Sequence, residues 1–160
     1  MSLILFVLTL VFWSQDTSKP DAGVVSRGDH AMGFSHETTT HHFYLYQSGG
    51  AIEVSANDPK DVGSRDQIRT HLSHIVAMFS RGDFNVPMFI HDKTPPGAST
   101  MSRLWDQIHY QLEETSQGAN IEIVTKNKEA LRAIQDFLRF QISDHKTGDS
   151  VDISKPQNSN

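Results

Sequence analysis

Along the chain, apolar and polar positions alternate strand-fashion and then switch to helical spacing, and they do so twice in the same order. In "HHFYLYQSGGAIEV", residues 41–54, an apolar and aromatic run meets the turn signal Ser48-Gly49-Gly50. It returns with Ile52 and Val54 on one face and Glu53 on the other. Asn57-Asp58-Pro59 then opens a helix with Ile68, Leu72, Ile75 and Phe79 at helical spacing. In the second half "WDQIHYQLEE" alternates through Ile108, Tyr110 and Leu112, "TSQGA" turns, and "NIEIV" brings Ile121 and Ile123 inward. A second helix starts near Asn127, with Leu131, Ile134, Leu138 and Ile142 on one stripe.

Ile68, Leu72 and Val76 match Ile134, Leu138 and Ile142 at a constant offset, and both helices run into Gly-Asp, at Gly82-Asp83 and Gly148-Asp149. The halves read as two β-β-α repeats. One repeat alone exposes the apolar face of its hairpin and the stripe of its helix. The pattern therefore predicts an α+β fold: a four-stranded antiparallel sheet with two helices packed on one face. The other face, with Tyr44, Tyr46 and His109, is expected to meet solvent or a second copy of the chain.

Outside this unit the pattern weakens. The apolar run from Leu3 to Trp13 is shorter than the roughly 20 residues that span a bilayer, and residues 1–20 read as a signal peptide or N-terminal anchor. Residues 21–35 read as a polar linker, 36–149 as a single domain, and 150–160 as a disordered tail. The joining stretch "FNVPMFIHDKTPPGAST" carries three prolines together with Val86, Met88, Phe89 and Ile90. It is expected to be a long loop folded back over the domain, carrying His91 with it.

Composition narrows the chemistry. A chain of 160 residues, 37% hydrophobic, fills one core, and a net charge of -5 without a Lys/Arg cluster argues against nucleic acid. With no cysteine, disulfides, thiolate nucleophiles and Cys-based metal sites are excluded, so any metal falls to His, Met, Asp or Glu. No G-x-S-x-G elbow and no Walker loop is present.

Nine histidines are the remaining signal. His71 and His74, with Met78 beyond them, share a helix face, and their counterparts in the second repeat are Phe137, Phe140 and Asp144. His41 shares a strand face with Phe43 and Leu45, whereas His42 goes with Tyr44 and Tyr46. His30, Met32 and His36 could wrap a soft ion, and Asp92 beside His91 or Asp144 beside His145 could orient an imidazole. The expected metal site is His41, His71, His74 and His91 with Met88, taking copper or zinc. Whether His30, Met32, His36, His42 and His145 join it stays open.

"MGFSHETTTHHF", "SRDQIRTHLSHI", "PMFIHDKTPPG" and "FLRFQISDHKTGD" together resemble a group of small exported bacterial proteins, from about Met32 to Asp149. The resemblance implies export and directs attention to Met32, His41, His42, His71, His74, Met88, His91 and His145. Some members of that group carry the label aspartate carbamoyltransferase. Enzymes of that name have two α/β domains and a Ser-Thr-Arg-Thr-Arg motif. The nearest stretch here, Ser99-Thr100-Met101-Ser102-Arg103, lacks the central arginine, so that activity is not expected.

Three functions fit these residues. One is an exported, periplasmic or secreted metal-binding carrier, scavenger or sensor. A second is a metal-free module that binds a protein or its own copy through the open sheet face, with membrane contact only if the N-terminal segment is retained. The third is a small hydrolase with a His-bound metal and Asp92 or Glu37 as base.

Overall fold

Both hairpins form, and they join through their second strands. The computed structural model describes residues 21–154. The chain runs through α1 (Ala22–Met32), β1 (Thr39–Tyr46), β2 (Gly49–Ala56), α2 (Val62–Phe79), α3 (Asn85–His91) and α4 (Ala98–Arg103). It continues through β3 (Ile108–Glu114), β4 (Gly118–Thr125) and α5 (Lys128–His145). The sheet order is β1-β2-β4-β3, every pair antiparallel, with Ile52 opposite Phe43 on one side and Ile121 on the other. The fold is α+β, as the pattern predicts.

The alternation places Phe43, Leu45, Ile52, Val54, Ile121 and Ile123 in one buried layer. Against it lie Ile68, Leu72, Ile75 and Phe79 of α2 and Ile134, Phe137, Leu138 and Ile142 of α5. Side chains of this kind contribute about 1.5–3 kcal/mol each on full burial, so this layer dominates the stability. The outer face carries a ladder of parallel rings, Tyr44–Tyr46 at 6.3 Å and His42–Tyr44 at 6.0 Å, with His109 exposed.

Five details depart from the sequence reading. Gly49 and Gly50 lie in β2 and not in the turn, because a Cβ on Gly50 would stand 2.2 Å from Leu138 Cδ1 and 2.3 Å from Tyr44 O. Close approach of α5 to the hairpin is the reason. The first long helix starts at Val62, where Asp61 accepts from Ser64 N, and Asn57-Asp58-Pro59 forms the preceding turn.

Residues 22–32 of the expected linker are helical. Asp21 caps α1 by accepting from Gly23 N and Val24 N, Gly33 ends it at φ 79°, and Val24 and Gly28 are buried one turn apart. The joining segment is not a loop but contains α3 and α4. Arg27 Nε ties α1 to α3 by donating to Ile90 O at 2.8 Å.

The tail is ordered at least as far as Ser154, whose N–H donates to Leu45 O beside β1. Asp149 anchors it, accepting from Phe43 N at 2.9 Å and meeting His42 Nδ1 at 2.8 Å. The apolar run at Leu3–Trp13 and residues 155–160 lie outside the described residues. Among the described residues no helix is long and apolar enough to cross a membrane.

Candidate functional site

Four imidazoles from four elements meet where the ends of α3 and α5 come down on the start of β1. His41 enters from β1 on the face of Phe43 and Leu45, His71 from the edge of α2, and His91 and His145 are the last residues of α3 and α5. Left-handed residues end both short and long helix, Asp92 at φ 51° and Lys146 at φ 55°. His91 and His145 therefore sit at the C-termini of their helices.

His145 is the centre of the group. Its ring centroid lies 5.1 Å from that of His91, nearly perpendicular, and 6.0 Å from that of His41, nearly parallel. Phe34 stands between His41, at 6.0 Å, and His71, at 5.7 Å. The four rings, with Met32 and Gln141, line a cavity of about 70 Å³ whose remaining wall is apolar side chains such as Ile52, Val54, Ile75, Phe79 and Phe137. Met32, His41 and His145 also line an adjoining groove of about 260 Å³, shared with Asp29, His36 and Thr147. His41 and His145 thus face both the cavity and the groove.

Burial sets the electrostatics. His41 is lowered to a pKa of about 3, first by desolvation and then by the neighbouring imidazoles His145, His71 and His42. His71 is lowered to about 4 by burial and then His74, and His145 to about 4 by burial and then His91. All three are neutral at pH 7, each with a free lone pair on one ring nitrogen.

Among the described residues, only His91 of the four rings has hydrogen-bond partners: Nδ1 with Asp144 Oδ2 at 2.6 Å and Nε2 with Gln141 Oε1 at 3.0 Å. Burial alone would raise the pKa of Asp144, yet it is held below the usual carboxylate value by the hydrogen bond and charge of His91 and by Lys93. Gln141 is fully enclosed, and its Nε2 has no partner. Turning that amide over would let Nε2 donate to His91 Nε2 while Nδ1–H of His91 donates to Asp144.

The expected site residues divide. His41, His71 and His91 come together. His74 does not join them: it is exposed, in a surface groove with Asp66, Gln67 and Thr70 on the far side of His71. The cause is the rotation of α2, which turns Ile68, Leu72 and Ile75 into the core, leaving His71 at the margin and His74 beyond it. Met88 is also corrected. The helical period of α3 buries Pro87, Ile90 and His91 and turns Met88 out, 39% exposed, toward Asn85 and Thr94.

His145 and Met32 also line the cavity. His145 lies three residues past Ile142 on the α5 stripe, and Met32 lies four past Gly28 on the buried side of α1. That periodicity was the signal for both. Asp144 follows an unexpected pairing, since it holds His91 from another helix and not its neighbour His145. Asp92 and Glu37, the candidate bases of a hydrolase, are both exposed and outside the cavity lining.

Among the described residues no three His, Asp or Glu side chains are already converged as a coordination set. No protein-family model, curated protein or solved structure matches the chain.

Proposed function

We propose that the cavity at the ends of α3 and α5 binds one transition-metal ion, with His41, His91 and His145 as imidazole donors and His71 at its margin. The observation that carries this reading is the spacing of the imidazole rings around one small void. Two imidazoles on a single ion, with metal–nitrogen bonds of about 2.0 Å, have ring centres roughly 5 to 6 Å apart. The His91–His145 and His41–His145 separations of 5.1 Å and 6.0 Å fall in that range.

Supporting features come from the surroundings. His41 and His145 are half-buried and make no side-chain hydrogen bond among the described residues, so a ring lone pair of each is free to take a ligand. Asp144 on Nδ1 of His91 is the carboxylate–histidine arrangement that orients a ligating ring and raises its basicity. Binding then requires His91 Nε2 to release Gln141, a side-chain rotation within the cavity wall. A site closed by one amide and open to a groove suits a carrier, scavenger or sensor better than a permanent structural ion.

Calorimetric titration of the full chain with zinc and with copper at pH 7 tests the reading. The expected result is one ion per chain with Kd below about 10 μM, weakened at least about tenfold by Asp144→Asn. A heat of binding indistinguishable from dilution for both metals refutes it.

A further inference from the structure

We propose that the ion is monovalent and soft, copper(I), and that the thioether of Met32 completes its donor set with His41 and His145. This rests on the metal-binding reading above and adds the charge and class of the ion.

Charge balance is the first argument. Among the described residues no Asp or Glu lines the cavity. Asp144 bonds Nδ1 of His91 and is shared with Lys93 Nζ at 3.5 Å, and Asp29, in the adjoining groove, is paired with His36 at 3.0 Å. The histidines bring no charge, since an imidazole ligates a metal ion in its neutral form. An ion entering this void therefore keeps nearly its whole charge in an apolar setting. The solvation cost of such transfer grows with the square of the charge, so a divalent ion is penalised about fourfold more than a monovalent one. Zinc sites of His and carboxylate meet that cost with an anionic ligand, which this cavity lacks.

Donor softness is the second argument, and it is independent. Met32 is the one residue that lines the cavity, the adjoining groove and the surface pocket beside His71 alike. The last turn of α1 puts it there, with its Cε 3.4 Å from the position of a Cβ on Gly28. The small residue at 28 lets the side chain lie against the helix. Thioether sulfur together with imidazole selects copper(I) over zinc, whereas a leucine there would fill the same space without a donor.

Under anaerobic reducing conditions that keep copper monovalent, the full chain is titrated with copper(I) against a colorimetric copper(I) chelator, and separately with zinc against a zinc indicator. Copper(I) is expected to bind one per chain at least 100-fold more tightly than zinc. Met32→Leu, close in volume and so compatible with folding, is expected to weaken copper(I) at least tenfold and to leave zinc unchanged. Unchanged thermal unfolding of the variant separates loss of a ligand from loss of the fold. Zinc binding as tightly as copper(I), or copper(I) indifferent to Met32→Leu, overturns this inference and leaves metal binding standing. Failure of both ions to bind overturns both.

Discussion

Acidification is the sharpest probe of the buried histidines. In an unfolded chain each titrates near pH 6.5, whereas in the fold His41 is lowered to about 3 and His71 and His145 to about 4. As pH falls through 6.5 the unfolded chain takes up protons that the folded chain refuses, so stability drops. It is full above about pH 7 and is lost progressively down to about pH 4, where the folded rings titrate in turn. Each refused proton costs about 1.4 kcal/mol per pH unit, and three together give a limiting slope of about 4 kcal/mol per unit.

Two units below 6.5 the loss amounts to about 8 kcal/mol, a large part of the 5–15 kcal/mol that holds a typical domain together. Urea unfolding of the metal-free chain at half-unit steps from pH 7.5 to 4.5 measures this directly. His71→Phe, which copies Phe137 at the matching position of the second repeat, should remove about a third of the slope. A slope below one proton, about 1.4 kcal/mol per pH unit between pH 6 and 5, would show that these rings are not held neutral and would undo the reasoning.

Two further outcomes test how the scaffold holds the site. Gly50→Ala forces a methyl against Leu138 Cδ1 and Tyr44 O, and is expected to lower the urea-unfolding free energy by about 3 kcal/mol. A loss under about 1 kcal/mol would mean that α5 does not lie that close to β2. Asp149→Ala strands the amide of Phe43 and frees His42, for about 2 kcal/mol, and should release the amide of Phe43 and the bridge from Ser154 to Leu45 to hydrogen exchange. Unchanged protection of the Phe43 amide would exclude Asp149 as the clamp of the tail.

The sheet, its order of hairpins and the inward faces of both long helices were legible in the sequence, because a period of two or of 3.6 is a local property repeated over enough residues to stand out. His41 followed from the same rule, sharing parity with Phe43 and Leu45. Where a segment was short the rule had less to work on. Residues 22–32 look like a polar linker because only Val24, Gly28 and Met32 face inward, and α3 shows less than two turns of pattern.

The amino-acid sequence by itself determined which side chains belong to a core layer, that no thiol takes part, and that nine histidines are at hand as donors. Only the tertiary structure decided which histidines meet. Whether His74 or His145 reaches the cavity depends on how α2 and α5 are rotated and where each ends. That rotation is chosen by the packing of Ile68, Leu72 and Phe137 against a sheet whose strands come from both repeats and lie far from each helix in sequence. The lowered pKa values and the pairing of Asp144 with His91 are likewise products of long-range burial, since an isolated peptide would leave every one of these groups in water.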